Sequence, residues 1–338
     1  MTGRNRAAQL AIVKQMSSIR TVHLIIFIGV IACLISAGIY IIFRPDLSER
    51  KMEKSKTIGV SYMTMNNEFY KIINQQITYE ARTKGDRIIL RDPALSVQKQ
   101  REQIEEMLNE GIDALILTPV EASELTDILM KAREKGVKIV VVDTELIDPT
   151  LADSTIVSDN YKAGSLIGRY YLQKHVNGAR VVLMTHDETI SGKERIRGFC
   201  DVIKRNAKIK IVGKVPCEGQ TEIATPALKK FIDEGHEFDS VFCLNDLAAV
   251  GAAYGLESRR LLHKVDLYGV DASPEAKAMI YDGEMQATSA QFPTEIGKKA
   301  AQTLYRLLEG REVLPKVYVN VELVDRRNVK KYRVDRWQ

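Results

Sequence analysis

The sequence has 338 residues, of which 45% are hydrophobic and 28% are charged. This composition is typical of a globular protein with about two domains, and it argues against a disordered chain. The net charge is +5, but the basic residues are scattered except near the two ends of the chain. A continuous basic surface of the kind that binds nucleic acid is therefore not expected.

Residues 21–43, TVHLIIFIGVIACLISAGIYIIF, contain no Asp, Glu, Lys or Arg. This stretch is longer than the roughly 20 residues that a helix needs to cross a bilayer, so we predict one transmembrane anchor. Residues 1–20 are then a short cytoplasmic N-terminus, and residues 44–56 are a charged tether to an extracytoplasmic domain. Basic residues flank both ends of the apolar stretch, so their count alone leaves its orientation open.

A lipoprotein is the alternative to this anchor, because Val30 to Cys33 resembles a lipoprotein processing box. The residues that follow Cys33 remain apolar or small up to Phe43, which favours an uncleaved anchor. The other cysteines, Cys200, Cys217 and Cys243, have unrelated spacings and form no C-x-x-C pair. They indicate neither a disulfide framework nor a metal site.

From Thr57 onward, patterns typical of strands and helices alternate. The first series predicts strands at 58–62, 87–91, 114–117 and 138–142, and helices at 69–84, 96–110 and 121–135. Apolar residues in these helices recur every three or four positions, as one buried face requires. The strand segments ALIL and KIVVV are almost entirely apolar, which is typical of parallel sheets covered on both sides.

The alternation pauses at 144–157, a loop-like stretch that contains Pro149, and then resumes. The second series predicts helices at 159–176, 191–206, 221–234, 246–258 and 274–282, and strands at 180–184, 209–213, 240–244, 265–270 and 286–290. A last helix at 293–309 and a last strand at 317–323 complete the pattern. Two series of similar size predict an α/β fold with two similar lobes.

Four polar residues lie just past the ends of apolar strands: Asp143, Asn245, Asp271 and Gln291. Open parallel sheets bind ligands at the carboxyl ends of their strands, so these side chains are candidates for a binding site. Each one alone is also typical of a helix cap or a turn. Their occurrence in both halves of the chain favours the binding interpretation.

The turn after the first strand and one later helix supply four further candidates. The turn presents Asn67, Phe69 and Tyr70 at the same edge of the sheet, and Arg195 lies in the first turns of the helix after strand 180–184. A helix cap with two core aromatics is the equally weighted alternative for the turn. Carboxylates, amides and a guanidinium form paired hydrogen bonds, and adjacent sugar hydroxyls match such pairs.

Residues 57 to about 324 resemble the ribose-binding proteins and other type I periplasmic sugar-binding proteins of ABC transporters. The segments that carry this resemblance are, in order, NNEFY, ALILTPVEA, KIVVVDTE, VSDNYKAG, KERIRGF, VFCLNDLAAVGA, LYGVDASPEA and ATSAQFP. The resemblance implies two doubly wound parallel-sheet lobes joined by a three-crossing hinge, with no catalytic residue, metal or cofactor. It implies ligand contacts from all eight candidates: Asn67, Phe69, Tyr70, Asp143, Arg195, Asn245, Asp271 and Gln291.

The implied N-terminal lobe comprises 57–158 and 292–320, and the implied C-terminal lobe comprises 159–291 and 321–325. Residues 326–338 form a basic tail, which we expect to be a solvated extension, with a membrane-facing role as the alternative. Two departures argue against ribose itself as the ligand. Thr144 follows Asp143 where the ribose-binding pattern has Arg, and the stretch around Glu218 to Gln220 offers no second stacking aromatic.

The resemblance implies an extracytoplasmic protein that captures a monosaccharide or similar polyol and delivers it to an ABC transporter permease. A sensor that presents its closed form to a membrane receptor, such as a histidine kinase, is an alternative. The ligand-binding core of the lactose-repressor family has a similar fold, but here an apolar segment occupies the place of its DNA-binding motif. No catalytic motif is present, so we do not expect an enzyme, and we interpret His186 beside Asp187 as a surface turn.

Overall fold

The computed structural model describes residues 16, 20, 23, 26–37, 39 and 55–338. The chain divides into two compact units, Met1–Lys54 and Ser55–Gln338. In the first unit, residues 26–37 are helical, and large apolar side chains such as Phe27 and Leu34 are exposed.

Within the described part of the chain, no helix has both the length and the apolarity to cross a membrane. The predicted anchor at 21–43 is described only in part, and its other residues lie outside the described ones. The same is true of most of the predicted cytoplasmic segment at 1–20 and of the tether at 44–56.

From Ser55 onward, strands and helices alternate along the chain. The strands are β1 (Thr57–Ser61), β2 (Arg87–Arg91), β3 (Ala114–Leu117), β4 (Lys138–Val142), β5 (Ser154–Ser158), β6 (Ala179–Thr185), β7 (Ile209–Pro216), β8 (Ser240–Cys243), β9 (Asp266–Asp271), β10 (Ala287–Ala290), β11 (Lys316–Val319) and β12 (Glu322–Asp325). The helices are α1 (Glu68–Lys84), α2 (Val97–Asn109), α3 (Thr126–Glu134), α4 (Asn160–Lys174), α5 (Ile190–Ile203), α6 (Thr221–Asp233), α7 (Asp246–Glu257), α8 (Pro274–Asp282) and α9 (Pro293–Leu308). Short 3₁₀ helices cover Pro149–Leu151 and Val329–Lys331.

The strands form two six-stranded sheets. The first has the order β11-β5-β4-β3-β1-β2 and is parallel throughout. The second has the order β12-β10-β9-β8-β6-β7 and is parallel except that β12 runs antiparallel to β10. The predicted fold of two α/β lobes with parallel sheets is therefore confirmed.

Alternate residues of each strand pack against helices on opposite faces of the sheet. In the first lobe, Ile116 of β3 belongs to a core cluster with residues of α1 and α9, whereas its neighbour Leu115 packs with residues of α2 and α3. All four residues of β3 are buried. Burial on both faces explains why the strand segments are apolar without the alternation of a half-exposed sheet.

Three connections join the two sheets. The chain leaves the first sheet after β5, returns to the first lobe between β10 and α9, and leaves it again between β11 and β12. The carboxyl ends of the parallel strands in both sheets lead into the loops that carry the candidate site residues.

Three of the predicted elements were wrong in detail. β5 begins within the stretch at 144–157 that the sequence predicts to be a loop, and its residues Ile156 and Val157 are fully buried. The last predicted strand is two strands, one in each sheet, separated at Asn320 and Val321. The helix predicted from residue 121 begins only at Thr126.

Helices α4 and α5 pack with their backbones in close approach. A Cβ added at Gly164 of α4 would lie 1.8 Å from the carbonyl oxygen of Arg195, and one added at Gly198 of α5 would lie 2.1 Å from that of Tyr161. Distances this short leave no room for a methyl group. The two glycines therefore set the position of the α5 backbone that carries Arg195.

We predict that Gly164→Ala destabilises the protein by at least about 1–3 kcal/mol, because the added methyl forces α4 and α5 apart. The midpoint of thermal unfolding should fall by several degrees. Gly255→Ala in α7 is the matched control, since its Cβ would lie 3.4 Å from the nearest atom outside its own helix and alanine favours helices. Equal midpoints for the two variants, measured by circular dichroism, would contradict this account of the contact.

Candidate functional site

A cavity lies between the two lobes at the carboxyl ends of the strands. The space between the surrounding atoms, including the part that is open to solvent, amounts to about 520 Å³. All eight residues that the sequence singled out line it: Asn67, Phe69, Tyr70, Asp143, Arg195, Asn245, Asp271 and Gln291. Residues from both halves of the chain therefore meet in one place.

The turn before α1 contributes both structure and cavity wall. Asn67 Oδ1 accepts a hydrogen bond of 3.0 Å from the backbone N–H of Phe69 and so caps the helix. The rings of Phe69 and Tyr70 are buried and meet edge to face, with centroids 5.7 Å apart. The cap interpretation and the binding interpretation of this turn are thus compatible, because the capping residue also lines the cavity.

Asp143 follows β4 in a left-handed backbone conformation, with φ of 71°. Its carboxylate is 6% exposed and accepts a hydrogen bond of 2.9 Å from the hydroxyl of Tyr70. Burial raises the pKa of Asp143, while the charge of Arg195 and the Tyr70 hydrogen bond oppose that rise. A ligand that donates hydrogen bonds to this carboxylate would oppose it further.

Among the described residues that line the cavity, Arg195 is the only Lys or Arg, and it is 4% exposed. Its Nε donates to Asn160 Oδ1 at 2.8 Å, and its Nη1 donates to the carbonyl of Leu244 at 3.1 Å. Nη1 also lies 3.6 Å from Asp271 Oδ1. These partners hold the guanidinium beside the carboxylate that it compensates.

Asp271 and Gln291 form the floor of the cavity in the second lobe. Gln291 Nε2 donates to Asp271 Oδ1 at 2.6 Å, and both residues are buried. Gln291 Oε1 is buried and accepts no hydrogen bond from the described residues. A buried amide oxygen without a donor is costly, so this atom is suited to accept a hydrogen bond from a ligand.

Asp246 lies directly behind this floor and is fully buried. Its carboxylate accepts from the Thr288 hydroxyl at 2.8 Å and from the backbone N–H of Ser273 at 2.8 Å. Burial, and then the neighbouring charge of Asp271, raises the pKa of Asp246. Burial also raises the pKa of Asp271, although Arg195 and the hydrogen bond from Gln291 oppose that rise.

Asn245 joins helix α7 to the opposite wall of the cavity. Its Oδ1 caps α7 by accepting from the N–H of Ala248 at 2.9 Å, and its Nδ2 donates to the carbonyl of Gly219 at 3.0 Å. Glu218 and Gly219 have positive φ values of 49° and 66°, and a Cβ added at Gly219 would lie 2.9 Å from Asn245 Nδ2. As expected from the sequence, this wall contains no aromatic ring.

Sequence reasoning missed several residues of the cavity wall, of which His186 is the most informative. We interpreted it as part of a surface turn, but it lines the cavity, and its side chain is only 11% exposed. Burial lowers the pKa of His186, although Glu188, with Oε2 3.6 Å from Nε2, opposes this. The signal was present, because His186 directly follows β6 as Asp143 follows β4.

The basic tail differs in part from the expected solvated extension. Residues 333–336 are exposed, but Trp337 and Gln338 are partly buried. The Trp337 ring lies against Phe69, with centroids 5.6 Å apart. Gln338 Nε2 donates to the backbone carbonyls of Asp271 and Gln291.

The chemistry of the cavity is that of polar recognition. Carboxylates, amides, an imidazole and a guanidinium approach it from both lobes, and aromatic rings cover one side. Among the described residues, no group of three or more His, Cys, Asp or Glu side chains is arranged to hold a metal ion. The site is therefore suited to a small molecule with many hydroxyl groups and one apolar face.

Comparison with known families agrees with this geometry. The sequence profile described as the periplasmic binding protein domain matches residues 58–312, which is most of the chain. The chain belongs to this family. The ribose import binding protein of Bacillus subtilis is 28% identical over 271 residues, covering 80% of this chain and 87% of that protein. The corresponding protein of Escherichia coli is 25% identical over 295 residues, covering 87% and 97%.

Solved structures give the same result. The myo-inositol binding protein of Caulobacter, bound to myo-inositol, is 25% identical with a TM-score of 0.76, covering 81% of this chain and 95% of that one. An ABC transporter solute-binding protein from Mycobacterium smegmatis with bound glycerol is 26% identical with a TM-score of 0.77, covering 82% and 96%. The relatives of this chain are substrate-binding proteins and not enzymes, and the resemblance to ribose-binding proteins is confirmed.

We predict that the ligand-free protein loses stability as the pH rises from about 5 to about 8. Asp246 and Asp271 have folded-state pKa values above the 3.8 of an ordinary aspartate. Their contribution is complete below that value and is lost as the pH rises through the folded-state values. Thermal midpoints measured across this range should therefore decrease.

Asp246→Asn should reduce this decrease, because the amide has the size and shape of the carboxylate and does not ionise. Its oxygen can accept from the Ser273 N–H while its NH₂ donates to the Thr288 hydroxyl oxygen. Asp282→Asn, at the exposed end of α8, is the control and should keep the wild-type pH dependence. If the thermal midpoint of Asp246→Asn decreased with pH as steeply as that of the wild type, the buried pair of Asp246 and Asp271 would not be the cause of the decrease.

Proposed function

We propose that this protein captures a monosaccharide or similar polyol between its two lobes. The observation that carries the proposal is the cavity itself, in which paired hydrogen-bonding groups from both lobes surround one space. Tyr70 and Asp143 come from the first lobe, and Arg195, Asn245 and Asp271 come from the second. Related binding proteins are named for ribose and D-allose, and solved relatives hold myo-inositol and glycerol.

The lobes close on the ligand about the three connections that join the sheets. A ligand in contact with both lobes binds the closed arrangement more tightly than the open one, and this difference shifts the equilibrium. Closure by a hinge also changes the outer surface. A membrane transporter can then distinguish the loaded protein from the empty one, and the protein supplies no chemistry.

The ligand is a polyol other than ribose in this proposal. Where the ribose-binding pattern has a second charged residue after Asp143, Thr144 Oγ1 accepts a hydrogen bond of 3.1 Å from the backbone N–H of Ser191 in the other lobe. The wall at Glu218 and Gly219 offers backbone and carboxylate oxygens in place of a ring. The pocket is thus more polar at the Glu218 and Gly219 wall, which favours a ligand that presents hydroxyl groups to this wall and its apolar face to the rings of Phe69 and Tyr70.

We further propose that residues 21–43 anchor the protein in the cell membrane, with the binding domain extracytoplasmic and an ABC transporter as its partner. The support for the anchor is the length and apolarity of this stretch. In its described helical part, residues 26–37, the large apolar side chains are exposed. The support for the partner is the family of periplasmic binding proteins.

We predict that pentoses, hexoses, inositols or furanosyl sugars include a ligand that raises the thermal midpoint of the variant lacking residues 1–50. A ligand selective for the folded state stabilises it by mass action. With that ligand, Asp143→Ala and Asp271→Ala should each lose about 10-fold to 100-fold in affinity, because a charge-assisted hydrogen bond is lost and ligand hydroxyls stay unpaired.

Titration calorimetry measures these affinities, and Asp282→Ala, an exposed aspartate in α8, is the control. Unchanged affinity in both cavity variants would show that the ligand binds elsewhere. If no polyol in the panel shifts the thermal midpoint, the proposed ligand class is wrong.

We predict that the full chain is recovered with membranes and that the variant lacking residues 1–50 is recovered in the soluble fraction. Cell fractionation with an antibody to the binding domain checks both. Mass spectrometry of the mature N-terminus separates the two forms of attachment. A chain processed and lipidated at Cys33 would replace the uncleaved anchor with a lipoprotein, and a soluble full-length chain would exclude both.

A further inference from the structure

The tail that follows β12 begins on the second lobe. Val329 is buried and Tyr332 packs beside it, both against the core cluster formed by α6, α7 and α8. The Tyr332 hydroxyl donates to Glu322 of β12 at 2.7 Å. The first part of the tail is therefore fixed to the second lobe. The last residues are held by other contacts.

Lys277 of α8 provides the first of these contacts. Its side chain is 1% exposed, and its ammonium donates to the backbone carbonyl of Arg336 at 2.6 Å and to Gln338 Oε1 at 3.1 Å. Burial lowers the pKa of Lys277 to about 8, so the amine stays largely protonated at neutral pH. A buried ammonium requires acceptors, and the tail supplies both of those that it has among the described residues.

Gln338 connects this lysine to the cavity. Its Nε2 donates to the backbone carbonyl of Asp271 at 2.8 Å and to that of Gln291 at 2.6 Å. The side chains of both residues line the cavity, and Gln291 lies where the chain returns to the first lobe. Both N–H groups of the Gln338 amide therefore donate to backbone carbonyls, and its oxygen accepts from Lys277. These partners belong to the second lobe and to the connection beside it.

Trp337 makes the contact with the first lobe. Its ring packs against Phe69 and the core cluster around β1 and α1. Two adjacent residues of the tail therefore touch opposite lobes. An opening that moves Phe69 away from Asp271 would therefore break one of these two sets of contacts.

We propose that Trp337 and Gln338 are positioning residues that tie the two lobes together behind the binding cavity and thereby slow release of the ligand. The effect on ligand release rests on the proposed function, whereas the effect of the tail on the ligand-free protein does not. The tail acts through Phe69, Asp271 and Gln291, which form the cavity wall in front of it. Contacts made only in the closed arrangement favour that arrangement.

Gln338→Ala removes the hydrogen bonds of the tail to Asp271 and Gln291, and Lys277→Met removes the ammonium that holds Arg336 and Gln338. Both variants therefore test the tie. Lys331→Ala, an exposed tail lysine, is the matched control. Trp337 is the single tryptophan of the chain, so its fluorescence reports on the tail alone. Without ligand, Gln338→Ala and Lys277→Met should shift its emission to longer wavelength and increase the radius of gyration in X-ray scattering, whereas the control should match wild type.

With the polyol that stabilises the wild type, the two variants should release ligand about 3-fold to 30-fold faster, as expected for the loss of one or two net hydrogen bonds. Stopped-flow exchange measures this rate. Wild-type fluorescence, scattering and release in both variants would overturn the proposal. If no polyol binds the wild type, the proposed function fails, and the ligand-free measurements still decide whether the tail holds the lobes.

Discussion

The cavity depends on the interaction of the buried Arg195 guanidinium with the carboxylates of Asp143 and Asp271. Asp143 and Asp271 are almost fully buried, and buried carboxylates without a nearby cation are strongly destabilising or take up a proton. Burial raises the pKa of both carboxylates, and the charge of Arg195 opposes that rise. The position of Arg195 depends on Asn160 and on the close approach of α4 to α5. The packing of these two helices therefore determines where the positive charge of the site lies.

Much of the fold could be predicted because long helices and buried parallel strands have strong periodic patterns. Helix α8 was predicted with its observed bounds. β5 was missed because it follows the loop-like stretch that contains Pro149, and its pairing with β4 and β11 makes it a strand. The break between β11 and β12 was missed because Asn320 and Val321 continue a strand-like pattern, and only the change of sheet separates them.

The cavity residues could be predicted because one rule, the carboxyl ends of strands, applies to both lobes. The same rule also places His186 in the cavity, because this residue directly follows β6. Trp337 and Gln338 had no such signal. Their positions follow from the path of the tail in three dimensions, and in particular from a buried Lys277 whose acceptors lie about sixty residues away in the sequence.

The wall at Gly219 limits how the binding preference of this protein can evolve. Its backbone is left-handed, its carbonyl is held by Asn245, and a side chain there would collide with the same amide. A side chain at 219 therefore meets both backbone strain and the Asn245 amide, and Asn245→Ala would relieve only the second while removing the cap of α7. Substitutions at these two sites should be strongly non-additive, so new specificities are more accessible through the side chains of the facing lobe.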